Sequence, residues 1–202
     1  MREITVKLYK FSELSEKAQR RAWEMGPDFS DRYSREYRET LKKFEDIFDI
    51  AVYRWSVDDC RYSFDYVTAG RAVEAPEGDA LRLARYIWNN YADCILKGRY
   101  YSTRGRYIDG KYHYKYRYSK VTKNMDGCPL TGVCMDMDIL QPVIDCLHYK
   151  SFFDSYEDLI DACLDSFFRA WRNEIEYCNS FEYFAETCEI NEYEFYETGE
   201  MV

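Results

Sequence analysis

Eight cysteines and two histidines are the side chains of this sequence with the widest chemical reach. A structural zinc site needs four thiolate or imidazole donors, commonly gathered in Cys-x-x-Cys steps. No CxxC occurs here, and Cys128, Cys134 and His148 depart from that spacing. Asp136 and Asp138, two apart, could bind a cation, but at a helix start such a pair serves as caps, and capping is the preferred reading. Cys94, Cys146, Cys163 and Cys188 fall on apolar helix faces, where a buried free thiol is ordinary. Nucleophilic catalysis would need a base beside a nucleophile, and His113 and His148 stand in no local signature of that kind. The many carboxylates do not single out an acid–base pair, and no glycine-rich phosphate loop follows a strand. The reading is a non-enzyme, with no catalytic residue, metal or cofactor assigned.

What remains is electrostatic recognition. The formal net charge of −9 is spread unevenly. Residues 1–50 hold eleven acids and eleven bases, residues 97–120 hold eight bases against Asp109, and residues 151–202 hold fourteen acids against Arg169 and Arg172. Such segregation speaks of fields and partners and not of fold. In the preferred reading the acidic region binds a protein through Glu174, Glu176, Tyr177, Glu182, Tyr183, Glu186, Glu189, Glu192 and Glu194. Carboxylates spaced along two helices imitate a phosphate array and enter the cationic groove of a nuclease or another nucleic-acid-binding protein. Tyr177, Tyr183, Tyr193 and Tyr196 would supply anchoring area. Set against this is a plain solvated helix face. The second reading is nucleic-acid binding by a basic hairpin through Arg104, Arg106, Lys111, Lys115 and Arg117, since a two-stranded ribbon fits a major groove. Its tyrosines and cations alternate onto opposite faces, which counts against base stacking.

The elements that would carry these groups follow from periodicity. Ile4, Val6 and Leu8 predict a strand over 3–9. Ser15 caps a helix over 16–25, which Gly26-Pro27 stops. Tyr33, Tyr37, Leu41, Phe44 and Phe48 form one stripe of a helix that starts near Asp31. Strands over 50–57 and 61–67 flank Asp58-Asp59, with Tyr62, Phe64 and Tyr66 on one face. Residues 75–78 are a loop before a helix over 79–96, with Leu83, Ile87, Trp88, Tyr91 and Ile95 inward. Asp109-Gly110 between alternating segments is a hairpin turn of type I′. A loop over 121–135 precedes a helix over 138–148. Ser155 and Asp158 read as a capping box for a helix to Cys178, with Leu159, Cys163, Phe167, Trp171 and Ile175 as its stripe. Ser180 caps a helix to Glu189, and a strand over 192–197 ends the chain.

Leu, Ile, Val and Phe make up 43 of the 202 residues, a low share that 21 tyrosines and 4 tryptophans supplement. No uncharged apolar run approaches the roughly 18 residues of a membrane span, and the first residues lack the apolar stretch of a signal peptide. Reduced cysteines and a cytoplasmic location are expected.

Tyr9-Lys10-Phe11-Ser12-Glu13-Leu14-Ser15-Glu16-Lys17-Ala18, continuing to Ala22, resembles the opening of a group of small accessory proteins of bacteriophages and prophages. The tail, Phe181-Glu182-Tyr183 through Glu189-Ile190-Asn191-Glu192-Tyr193-Glu194-Phe195, resembles the ending of the same group, some of whose members are labelled antitoxins. The resemblance implies a mobile-element origin and a protein that inhibits a host component by binding it, as anti-CRISPR and other counter-defence inhibitors do. The expectation is one α+β domain over 1–202, a mainly antiparallel sheet packed by helices with the two chain ends as adjacent strands. Its partner is a host protein with a basic nucleic-acid-binding groove. Nucleic acid is the second choice of partner, a toxin the third, and no membrane is involved.

Overall fold

A computed structural model describes residues 6–68, 76–95, 101–119, 128–149 and 153–202, and within them not the side chains of 92–94, 101–108 and 112–119. The fold is α+β. In chain order the elements are β1 (Tyr9–Lys10), α1 (Glu16–Glu24), α2 (Ser34–Phe48), β2 (Ile50–Val57), β3 (Tyr62–Thr68), α3 (Ala80–Ile95), β4 (Tyr101–Ile108), β5 (Lys111–Ser119), α4 (Met135–Tyr149), α5 (Tyr156–Cys178), α6 (Phe181–Ile190) and β6 (Glu194–Phe195). In place of one antiparallel sheet, the described strands make three separate antiparallel pairs, β1–β6, β2–β3 and β4–β5. Contacts divide the chain into two compact units. One comprises residues 1–33, 58–60 and 172–202, the other residues 34–57 and 61–171.

In the first unit the chain ends pair as expected, with Tyr9 opposite Phe195 and Lys10 opposite Glu194. Both terminal strands are shorter than their alternation predicts. A strand lasts only as long as its partner, and here a 3-10 turn begins at Phe11 while Glu192 takes a left-handed conformation (φ 54°). Residues 3–5 of the predicted first strand lie outside the described residues. Ser15 caps α1 by accepting the Ala18 N–H at 3.4 Å. The helix turns Ala18 and Ala22 inward, against a core of Phe11, Leu14, Phe184, Cys188 and Phe195. The last residues fold back over β6, where Val202 N–H donates to Glu194 O at 3.0 Å. Gly199 is held at φ +88°, and a Cβ there would stand 2.2 Å from Ala18 O.

In the second unit the predicted stripes face the core. Tyr37, Leu41, Phe44 and Phe48 of α2 are buried, and so are Leu83, Ile87, Tyr91 and Ile95 of α3. Tyr33 lies before α2, which begins at Ser34. Trp88 is a correction, since the residue is 43% exposed. Ser155 and Asp158 form the capping box of α5, each backbone N–H donating to the other's side chain, at 3.0 and 3.1 Å. Leu159, Cys163, Phe167 and Trp171 are buried along it. Tyr37 stacks on Trp171 with ring centroids 4.8 Å apart and planes 2° apart. Helix α4 starts three residues earlier than its periodicity indicates. The reason is Asp136, fully buried, whose carboxylate accepts the backbone N–H groups of Leu130, Thr131 and Gly132 at 2.8, 2.8 and 3.1 Å. The hydroxyls of Thr131 and Thr40 donate to its other oxygen at 2.6 and 3.1 Å. Asp136 therefore ties the preceding loop to the first turn of α4, which differs from the expected cap, since the N–H groups it accepts belong to the loop and not to the helix.

Two substitutions test these constraints. Gly199→Ala adds a Cβ where there is neither space nor an allowed conformation, and is expected to cost about 2 kcal/mol or more. Asp136→Asn removes the charge that five donors face and turns the oxygen that accepts from the Thr40 and Thr131 hydroxyls into a donor, and is expected to cost about 1–3 kcal/mol. Urea unfolding of each variant measures both, and an unchanged midpoint would contradict the account.

Candidate functional site

The acidic surface begins with how α6 divides its residues. Tyr183, Phe184, Thr187 and Cys188 are buried, so Glu182, Glu186 and Glu189, at spacings of four and three, share the exposed side. Ser180 sets the helix start by accepting the Tyr183 N–H at 3.2 Å. Glu176 and Glu192 are also exposed, and among the described residues no ion pair engages any of these five carboxylates. Arg172 is the one base in 172–202, against nine glutamates. The remaining predicted acids are partly committed. Glu194 lies 3.8 Å from the Lys10 ammonium, and half-buried Glu174 accepts from the Cys178 thiol at 3.7 Å.

The predicted tyrosine anchors separate. Tyr177 is 45% exposed, and its hydroxyl donates to Glu186 at 3.4 Å. The charge of Glu186 pushes its titration upward, with desolvation and then Glu182 and Glu174 adding to that. Tyr196 is exposed and Tyr193 half-buried. Tyr183 is a correction, because it is buried and cannot anchor a partner. Its ring packs edge-on against Phe29 and Tyr177, at 5.7 and 5.2 Å, and lies under the Arg32 guanidinium at 5.3 Å. The heptad-like spacing of α6 places Tyr183 beside Phe184 on the apolar side, which composition alone does not reveal.

The basic hairpin has the predicted turn, with Asp109 at φ 51° and Gly110 at φ 77°. Arg104 pairs with Tyr116 and Gly105 with Tyr114, so Lys115 is an extra residue that breaks the simple alternation of β5. Lys111 is exposed. The side chains of Arg104, Arg106, Lys115, Arg117, His113 and Cys94 lie outside the described residues, as do residues 121–127.

Cys146, Cys163 and Cys188 are buried free thiols, as their positions predict, whereas Cys134 is exposed. The turn at 58–60 brings carboxylate oxygens of Asp58 and Asp59 and the Cys60 thiol within 4.8 Å of one another, all exposed. Hydrogen bonding to Asp59 raises the Cys60 titration and so disfavours the thiolate that would ligate.

One feature escaped the periodicity. Glu16, Gln19, Arg20, Trp23 and Glu24, on one side of α1, line an open cleft of about 610 Å³ with Phe181 of α6. The signal was a tryptophan on the polar stripe of an amphipathic helix.

These elements define an α+β protein in which, among the described residues, no helix is long and apolar enough to cross a membrane. Comparisons with family models, curated proteins and solved structures return no match.

The buried hydroxyl of Tyr183 makes a pH prediction. Burial pushes it up to about 12, with the Arg32 guanidinium opposing. Above about pH 10 the unfolded chain releases this proton while the folded state keeps it, so stability falls as pH rises toward 12. Alkaline unfolding should become shallower in Tyr183→Phe, and an unchanged slope would refute the burial argument.

Proposed function

We propose that this protein works by binding a second protein that carries a cationic, nucleic-acid-handling groove, and that the contact surface is the acidic side of α6 with Glu176, Tyr177 and Glu192. The observation that carries this reading is the row Glu182, Glu186, Glu189. These carboxylates are exposed, lie on one side of a helix and are left without a cation by the described residues around them. Like charges held this close repel, and a folded chain gains nothing from them internally. A partner rich in lysine and arginine relieves that repulsion and releases counterions. Exposed Tyr177, tied to Glu186, adds a rigid aromatic contact within the charged row. The resemblance of the two chain ends to phage accessory proteins supports a bacterial host component as the partner and counter-defence inhibition as the outcome.

The basic hairpin supports a second reading, direct nucleic-acid binding. In its favour, the described strands β4 and β5 pair only with each other, which leaves a two-stranded ribbon of the kind that enters a groove.

One experiment separates the two. Wild-type protein on a resin should capture nucleic-acid-binding proteins from a bacterial lysate, and short duplex DNA should release them. Glu182→Lys, Glu186→Lys and Glu189→Lys together should reduce capture by about tenfold or more. If the triple variant captures the same proteins while neutralising Arg106, Lys111, Lys115 and Arg117 abolishes capture or a DNA gel shift, the hairpin reading replaces this one.

A further inference from the structure

We propose that the cleft between α1 and the start of α6 receives an arginine side chain of the protein partner, with Trp23 as the aromatic contact and Glu16 and Glu24 as the charge complement. The inference rests on the binding reading above and names the kind of residue that anchors the partner.

Trp23 is 39% exposed, yet its indole N–H is already spent, donating to Asn179 O at 3.0 Å. Phe181 packs edge-on against the same ring at 6.0 Å and 81°. The indole is therefore fixed in place and offers a visitor only carbon and π-density. Gln19 has likewise committed one amide N–H to Phe11 O at 2.9 Å, which leaves its carbonyl oxygen and its second N–H. Among the described residues no ion pair engages Glu16 or Glu24. The free groups are thus mainly acceptors and an aromatic ring, the donors being the second Gln19 N–H and the guanidinium of Arg20. Arg20 stands four residues from each glutamate, so the lining carries a net charge of −1. Without pairing with either carboxylate, it lowers the negative potential that an incoming cation meets.

A donor-rich, planar cation fits this set. A guanidinium stacks on tryptophan and forks to carboxylates, which an ammonium does less well. The chain supplies its own contrast. A second cleft, of about 170 Å³, is built around the half-exposed Trp88, but it is lined by Leu81, Ala84, Arg85, Asn89 and Leu147. That cleft has a comparable exposed indole, a cation and no carboxylate, so it should reject what the Trp23 cleft accepts.

The test is a titration of the full chain with acetylated, amidated Gly-Arg-Gly, read from the tryptophan indole N–H resonances. The Trp23 resonance is expected to shift saturably with a Kd on the order of 1 mM while that of Trp88 stays still. Gly-Lys-Gly should bind about threefold more weakly, and Gly-Glu-Gly should not bind. Glu16→Gln with Glu24→Gln should weaken binding about fivefold, and Arg20→Gln should tighten it. No saturable shift at Trp23, equal shifts with Gly-Glu-Gly, equal movement of Trp88, or loss of binding in Arg20→Gln would each overturn the inference. Glu182, Glu186 and Glu189 do not line the cleft, so the triple lysine variant should keep peptide binding. A failed peptide titration would therefore sink this proposal alone, and undiminished partner capture by the triple variant would sink only the acidic-row reading.

Discussion

Phe11 is 4% exposed and is met by three rings from the far end of the chain, Phe181, Phe184 and Phe195, at 5.8, 5.5 and 5.8 Å. Burying a phenylalanine stabilises by about 1.5–3 kcal/mol, and tilted or edge-on aromatic contacts add to that. The contact does more than stabilise. Residues 170 to 184 positions apart share one core, and the cost of closing so long a loop grows only slowly with length. Once Phe11 is seated, the inward side of α1 must be small, and Ala18, Ala22 and Gly199 are what allow the backbones to approach. The polar stripe of α1 and the glutamates of α6 are then left outward by elimination.

Carboxylates in this protein meet two fates, and donors nearby decide between them. In the second unit Asp136 takes five donors. The Tyr62 hydroxyl donates to Asp165, while Tyr66, beside Asp161, donates to Glu157 O at 3.4 Å. Acids on the first half of α5 are therefore structural in part, and the acidic region beginning at residue 151 is not one uniform surface. From Arg172 onward the same residue type finds few donors. Charge left uncompensated inside a fold is available for something outside it, which is why the proposed recognition surface lies on α6 and the last turn of α5 and not on the first half of α5.

Local chemistry was legible wherever it depended on neighbours in sequence. Ser15, Ser155 with Asp158, and Ser180 all cap as their spacing predicts, because an N-cap is satisfied by an N–H within three residues. The Asp109-Gly110 turn was legible because two consecutive positive φ angles admit few residue pairs. Stripes on α2, α3 and α5 were legible because each buries one long side. Trp88 and Tyr183 were misread for opposite reasons. Trp88 sits at the margin of its stripe, where burial depends on what packs beside it. Tyr183 is polar enough to suggest the surface, yet its ring completes an aromatic cluster with Phe29 and Tyr177.

Taken alone, the order of residues determined the helices, their caps, the hairpin turn, the α+β class and the crowding of acids into the last part of the chain. Each of these is set within a few residues by backbone preference and periodicity. Tertiary structure alone decided how long the terminal strands run, which aspartates become internal ties, and that Trp23 and Phe181 meet to form a cleft. Those outcomes depend on contacts between segments far apart in the chain, and no local pattern encodes which distant donor, ring or strand will be there to meet them.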